Sequence, residues 1–460
     1  MSTVFVHIGQ AGCQLAQVLW PILANEKLGS PDIFCLPGPL HAPRCPRAVL
    51  VDAEPKVIEA ALSRKSSSAL DSEKDFAFDP SSAVWTQSGR GGNFALGYIG
   101  EGVACEAFDM MQGSPGLVVR AMECMRRQAE DCHGAHLGSV LTHSLGGGTG
   151  SGLGCRLAEE IRDQYPRSPL LAMSILPLTS GENPAQCYNA MLAMATLQEV
   201  TDGVLLYEND RLLATAGEVS RLSGGSSSDF ARFPHMGNGL IQSEAGGAEG
   251  GASMTAMNAC IAADLVPLLC PPSSSCPLDI GELLTAACPL STHRFTQVFS
   301  GEAIGPQAPP PEPRPALEAL SSAVRRGPSA PTRSSIARGG GTVLAAHAVA
   351  RGWPSTMVDI AALQSNLLQR LGGAVTWQPH PLDLCCSATP LRSAPHSSRI
   401  TAVVNWKRTS HVLGTVVGRA KRQYASRAFV HWYDRHGFGH GEFDHAFEVL
   451  DGAIADYDAA

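Results

Sequence analysis

Short, apolar, β-prone runs recur through the first half of the chain: Thr3–Ile8, Ala48–Val51, Gly138–His143, Leu170–Leu176 and Gly203–Tyr207. Amphipathic stretches lie between several of them. Leu153, Leu157 and Ile161 recur every four residues and face away from Arg156, Glu159, Glu160 and Arg162, which predicts a helix that Pro166 ends. Strand and helix in alternation predict an α/β fold with a mostly parallel sheet covered on both faces.

The pattern breaks twice. Residues 221–252 are mostly Gly, Ser and Ala and predict a flexible loop, and residues 305–341, rich in Pro, Ser, Gly and Arg, predict a second, mobile one. Between them Met254–Leu269 is almost uncharged, as expected of a helix buried between two domains. Strand signals return at Thr342–Ala350, Ala374–Trp377 and Arg399–Trp406. A last helix over His440–Tyr457 places Phe443, Phe447, Leu450, Ile454 and Tyr457 on one face. No internal repeat is present.

A chain of 460 residues allows two or three domains and a core that needs no disulfide or metal to stand. Acidic residues exceed basic ones by 42 to 34, against the basic excess of a general nucleic-acid-binding surface. The 14 cysteines include no C-x-x-C pair, which argues against a zinc site of the usual type and predicts reduced thiols. The start MSTVFVHIGQ is unlike a signal peptide, and no run of 18 apolar residues predicts a membrane span.

The strongest chemical signal is Ser144-Leu145-Gly146-Gly147-Gly148-Thr149-Gly150-Ser151-Gly152, set between a predicted strand and a predicted helix. Its glycines let backbone N–H groups approach an anion, and the helix adds the positive end of its dipole. Thr149 and Ser151 offer hydroxyl donors. A flexible linker would not sit between a strand and a well-formed helix. Gly9-Gln10-Ala11-Gly12 and Ser88-Gly89-Arg90-Gly91-Gly92-Asn93 also follow strands, so the three loops are expected along one carboxyl edge of the sheet. No G-x-x-x-x-G-K-[ST], no N-K-x-D and no G-x-G-x-x-G at the first turn is present, so the ligand is a nucleotide held by a different loop system. Histidines 431, 436, 440 and 445 are interrupted by Gly437, Gly439 and Gly441 and predict surface positions rather than a metal site. Arg419, Lys421 and Arg422 read as a solvated helix face.

These loops carry a resemblance. GGGTGSG (146–152) together with GQAGCQ (9–14) resembles the tubulin superfamily. QSGRGGNFALGY (87–98) is similar to the third loop of eukaryotic tubulins, and LTHSLGGGTGSG (141–152) to the wording of β-tubulin. RAVLVDAEPKVI (47–58), LLYEND (205–210) and YASRAFVHWYDRHGF (424–438) most resemble the δ-tubulin branch, as does the lack of a Glu-rich C-terminal tail.

The resemblance implies a Rossmann-like GTP-binding domain over 1–210, an intermediate domain over 211–407 containing the central helix 254–270, and a C-terminal helical segment over 408–460. It implies GTP or GDP with Mg²⁺. Gln10 and Ala11 would touch phosphates, Asp52 and Glu54 would lie near them, and Glu54 would approach Mg²⁺ through water. Gly91, Gly92 and Asn93 would flank the γ-phosphate. Ser144 and Gly147, Gly148, Thr149 and Gly150 would cradle the α- and β-phosphates. Glu182 would lie on the sugar side, and Asn209 and Asn258 would read guanine. Met254 stands where tubulins place an aromatic ring, and Gly92 where α- and β-tubulins have Asn. Glu282, in Asp279-Ile280-Gly281-Glu282, would orient water in trans on a neighbouring subunit, although an acid opening a helix is also simply solvated there.

The implied partners are other tubulins or microtubules and centriolar or basal-body proteins, with no nucleic acid and no membrane. The implied role lies in triplet microtubules and cilium assembly, in the cytoplasm. Residues 305–341 fall where tubulins keep their lateral-contact loop and are unlike it, so ordinary microtubule walls are not expected from this chain alone. Two other readings stay open: structural GTP binding without turnover, and a metabolic enzyme using a nucleotide cofactor, which the Gly loops alone would permit.

Overall fold

The computed structural model describes residues 2–26, 33–35, 44–63, 76–99, 116–131, 136–181, 183–222, 254–270, 280–305, 312–326, 342–353 and 358–460. Strands β1 (Ser2–Ile8), β2 (Ala48–Asp52), β3 (Ala83–Trp85), β4 (His136–Ser144), β5 (Leu170–Leu176) and β6 (Gly203–Glu208) pair in parallel. They alternate with helices α1 (Gly9–Asn25), α2 (Pro55–Ser63), α3 (Phe94–Ile99), α4 (Leu117–Glu130), α5 (Gly154–Gln164) and α6 (Gln186–Val200). Every residue of β2, β5 and β6 is buried, because helices cover both faces of the sheet.

After α7 (Asn209–Leu222) the chain continues through α8 (Met254–Leu269), α9 (Ile280–Ala287), β7 (Phe295–Ile304), α10 (Arg314–Val324), β8 (Val343–Arg351), α11 (Ile360–Leu371), β9 (Leu382–Ser387) and β10 (Ser397–Trp406). It ends in α12 (Thr409–Ala425), α13 (Val430–Asp434) and α14 (His440–Ala459). All ten strands form one sheet in the order β3-β2-β1-β4-β5-β6-β7-β10-β8-β9. Among the described strands, only the two pairings of β10 are antiparallel. The β6–β7 pairing, Val204–Leu206 with Phe295–Gln297, joins the parallel half to the rest.

Side-chain alternation along the strands divides the core. In β1, Val4, Val6 and Ile8 pack with α4, α5, α6 and α14, while Phe5 packs on the other face with α1 and α8. A third cluster lies between β7, β8 and β10 and helices α10 and α11. In α14, Phe443, Phe447, Leu450 and Tyr457 are buried as the periodicity predicts, with Ile454 partly buried. Helix α8, whose one charged residue Asp264 pairs with Arg399, is buried nearly all round, leaving Met254 about half exposed at its first turn.

Two expectations are corrected. Residues 305–341 are not one loop. Arg314–Val324 is a helix that buries Ala316, Leu317, Leu320 and Val324 at helical spacing, with proline in its first turn, where a missing N–H costs nothing. Proline-rich flanks hide that period in a composition-based reading. Ala374–Trp377 is not a strand either. Ala374 makes one bridge to Val343 and the chain then turns. Pro379 and Pro381 cannot donate to a ladder, and the strand starts only at Leu382. The loop 221–252 lies outside the described residues, except for Arg221 and Leu222 at the end of α7. No described helix is long and apolar enough to cross a membrane.

Candidate functional site

The strand order β3-β2-β1-β4-β5-β6 reverses direction between β1 and β4, and an open α/β sheet leaves a ligand crevice outside the strand ends at such a point. The turn from β1 into α1 and the Gly-rich loop after β4 both lie there. They touch: a Cβ placed on Gly9 would lie 3.2 Å from Gly150 N. After β4 the chain makes a single π-helical turn, Thr149–Leu153, before α5. Neither that turn nor α1 takes a side-chain cap, since Gly148 and Ile8 occupy the cap positions. Both therefore present backbone donors and a positive dipole end to the crevice.

The glycines of this loop fall into two kinds. A Cβ on Gly148 would lie 2.6 Å from Arg90 O, and one on Gly150 2.5 Å from Ser144 O, so the fold itself excludes side chains there. A Cβ on Gly147 meets no protein atom within 4 Å. That side of the loop is open, as a face that receives a ligand would be. Ser144 Oγ accepts from Gly146 N at 3.3 Å and helps set the turn. Ser151 is a correction: it is fully buried and its hydroxyl donates to Gly147 O, inside the loop rather than toward a ligand.

Two buried side chains outside the predicted set hold the cradle. The His143 ring donates from Nδ1 to Gly150 O (2.7 Å) and accepts at Nε2 from Ser174 Oγ (3.0 Å). Burial lowers its pKa to about 4, so the ring is neutral and this tautomer is fixed. Asn189 of α6 uses its whole amide. Its Nδ2 donates to Gly92 O (2.7 Å) and Gly146 O (2.9 Å), and its Oδ1 accepts from Phe94 N (2.8 Å) and Tyr433 Oη (2.6 Å). One side chain thus joins the third loop, the fourth loop, the start of α3 and the C-terminal segment. The signal in the sequence is a lone amide inside the apolar run of α6.

The second and third loops close the crevice beside β2. Asp52 is buried at the end of β2 and its Oδ1 accepts from Ala53 N at 2.7 Å. Burial raises its pKa to about 6, with Glu54 adding repulsion. Glu54 is exposed, and a Cβ on Gly89 would lie 2.8 Å from its Oε1, so the acid lies against the third loop. Gly91 and Gly92 both take positive φ, and Gly92 O also accepts from Asn183 Nδ2 at 3.2 Å. Asn93 is buried and shapes the loop: its Oδ1 accepts from Ala95 N (2.8 Å) and its Nδ2 donates to Trp432 O (3.0 Å).

Gln10 is exposed and Ala11 half-buried in the first turn of α1. Asn209 opens α7 directly after β6, and its neighbour Asp210 pins the fifth loop by accepting from Thr179 N (2.9 Å) and Thr179 Oγ1 (2.6 Å). Met254 and Asn258 share one face of α8, one turn apart, and α8 packs against α1 and α7. Glu182 lies outside the described residues. Glu282 stands apart. It is exposed in the first turn of α9, and Leu284 of that helix packs where β6 begins, 2.4 Å from a Cβ on Gly203. That is the sheet edge opposite the Gly-rich loops. Among the surface histidines, His440 bonds Tyr424 Oη and His445 lies 3.2 Å from Glu199, so these two have separate partners.

A bare, uncapped, rigidly backed loop fits a phosphate chain, and the hard oxygen donors of Asp52 and Glu54 beside it fit a magnesium-type cation. Comparison with known proteins points the same way. Residues 2–217 match the family described as Tubulin/FtsZ family, GTPase domain. The chain is 24% identical to the tubulin beta-1 chain of Hypocrea rufa over 99% of its own length and 94% of that protein's. It is 31% identical to the tubulin beta-1 chain of Mus musculus and 29% identical to the tubulin beta-2 chain of Emericella nidulans. Those two matches span about half of each relative, 48% and 49%.

Proposed function

We propose that the protein is a GTP-binding cytoskeletal subunit of the tubulin/FtsZ family whose partners are other tubulins or microtubules, on the match of residues 2–217 to that family's GTPase domain. The observation that carries the reading is the cradle between β1 and β4. Its open side is at Gly147, and its other glycines face protein. Gly147, Gly148, Thr149 and Gly150 would hold the α- and β-phosphates, with Ser144 setting the turn. Gln10 and Ala11 would add contacts from α1, and Gly91, Gly92 and Asn93 would flank the γ-phosphate. Asn209 and Asn258 would present amides to guanine, whose edge needs donor and acceptor together. Mg²⁺ would neutralise phosphate charge, with Glu54 reaching it through water and Asp52 beside it. The half-exposed Met254 would offer the base a flexible apolar ledge in place of a ring.

Glu282 would act on the nucleotide of a neighbouring subunit. Its place on the sheet edge opposite the phosphate loops suits a head-to-tail contact, which leaves one end of each subunit to complete the site of the next. A second reading is nucleotide binding with little turnover, favoured by Gly92, which offers no side chain to the third loop. The segments 47–58, 205–210 and 424–438 favour the δ-tubulin branch, and with it a place at centrioles, basal bodies or cilia within the cytoplasmic cytoskeleton.

The test is to purify the protein without added nucleotide, denature it, and identify what is released. About one equivalent of GTP or GDP, reduced in an Asn209→Ala variant, is expected. An adenine dinucleotide in its place would overturn the reading. Hydrolysis is read separately, by mixing wild type with Glu282→Ala. Turnover should fall only when the variant supplies the facing end.

A further inference from the structure

Strands β8 and β9 are parallel neighbours at one end of the sheet, and among the described residues β9 pairs only with β8. Their register sets His347 opposite Asp383 and Val349 opposite Cys385. Side chains two apart on a strand share a face, so His347, Asp383 and Cys385 project to the same side. His347 Nδ1 lies 2.7 Å from Asp383 Oδ2, and the nitrogen, oxygen and sulfur donors of the three residues all lie within 4.8 Å of one another. Cys386 points the other way. It packs against the cluster under α10 and α11, while Cys385 packs against the cluster under α1 and α8. The adjacent cysteines are therefore not one unit: they pack on opposite faces of the sheet, and only Cys385 lies beside His347 and Asp383.

We propose that His347, Asp383 and Cys385 form a binding site for a divalent transition-metal cation of the zinc type, with a fourth position open to water or an outside donor. An imidazole, a carboxylate and a thiolate are the donor set that zinc takes, and three protein ligands leave a tetrahedral ion one free position. Tetrahedral bond lengths of about 2.0 to 2.3 Å require donors roughly 3.3 to 3.8 Å apart. The His347–Asp383 pair needs to open by roughly 0.6 Å and Cys385 to close by at most about 1.5 Å, which side-chain rotation supplies. The site has an entry path. The Asp383 side chain is 55% exposed and that of His347 is 15% exposed, so the ion approaches past the carboxylate and is held by the more buried groups. Binding would tie the edge strand to its neighbour and fix its register at a place where strands are prone to slip or pair with other chains.

The test uses the full-length protein, reduced, stripped with a chelator and titrated with Zn²⁺ alone. Wild type should bind one ion that Cys385→Ser and His347→Ala each weaken by about 100-fold or more, exceeding the 10- to 100-fold effect of outer-shell partners. Cys386→Ser should bind as wild type, which separates this site from the other thiols. Asp383→Asn, at an exposed position, tests the site with the least risk to folding and should also weaken binding. Binding should release protons, fewer of them in Cys385→Ser. With Co²⁺ as probe, the thiolate-to-metal charge-transfer absorption should appear in wild type and Cys386→Ser and be absent in Cys385→Ser. Absence of Zn²⁺ binding by wild type, or equal binding by wild type, Asp383→Asn and Cys385→Ser, would overturn the site and leave His347 and Asp383 as a plain ion pair.

Discussion

Replacing Asn189 by alanine removes four hydrogen bonds at once, to Gly92 O, Gly146 O, Phe94 N and Tyr433 Oη. Two of these partners keep another bond. Gly92 O still accepts from Asn183 Nδ2, and the single Tyr433 hydroxyl proton can turn to Ala185 O, 3.2 Å away. Among the described residues, Asn189 is the one side chain that bonds Phe94 N–H and Gly146 O, and both lose it. A buried polar group left unpaired costs about 1–3 kcal/mol; that applies to the buried Phe94 N–H, while the half-buried Gly146 O costs less, so the loss is about 1–4 kcal/mol. Against a whole-protein stability of about 5–15 kcal/mol this is a large fraction. The measurement is a urea unfolding curve, followed by GTP titration at a temperature where circular dichroism shows the variant folded. The midpoint should fall, and GTP binding should weaken, because the third and fourth loops lose their common anchor. Tyr433→Phe removes the bond to Asn189 and the longer contact with Ala185 O but leaves the other three bonds of Asn189, and should cost about 1 kcal/mol. As the two side chains touch, their double-mutant coupling should lie at about 0.5–3 kcal/mol. A loss below about 1 kcal/mol in Asn189→Ala, with GTP affinity unchanged, would refute the anchoring argument.

Further predictions concern the loop and the titrating groups. Gly147→Ala should leave the melting temperature unchanged or slightly higher, since its Cβ meets no protein atom. It should weaken GTP about 10- to 100-fold by crowding phosphate-binding N–H groups, read by calorimetry. Gly150→Ala should instead lower stability, because its Cβ would lie 2.5 Å from Ser144 O. Burial holds His143 at about pH 4 and His7 at about pH 3, both below the unfolded value of about 6.5. Their neutral rings therefore contribute full stability above pH 6.5. That contribution falls toward pH 4 and 3 at up to about 1.4 kcal/mol per pH unit each, measurable as a denaturant midpoint against pH. Asp52 has the opposite sign. Its raised pKa of about 6 makes its contribution complete below about 3.8 and lost as pH rises through 6. Asp52→Asn should thus raise the stability of the nucleotide-free protein at pH 7.5 by up to about 3 kcal/mol while reducing the Mg²⁺ dependence of GTP binding.

The alternation of strands and helices, the Gly-rich loop after β4 and the face of α14 were legible in the sequence. Each is a local pattern: continuous apolar runs, a bare loop between strand and helix, and a repeat of about 3.6 residues. The reading failed where composition masked period, as at α10, and where proline moved a strand, as between Ala374 and Leu382. Ser151 shows the limit for a single residue. Its hydroxyl looks available in sequence, and only the π turn reveals that it donates to Gly147 O. The carboxyl edge that gathers Gly9, Gly91 and Gly147 depends on strand order, which periodicity does not carry. Asn189 and Tyr433 are 244 residues apart, and His347 and Asp383 are 36 apart. Sequence determined most of the strands and helices and where the Gly-rich turns fall between them, because those follow from near neighbours. Tertiary structure alone decided which side chains hold those turns in place and which donors meet at the sheet edge, because such contacts are set by register and packing between distant segments.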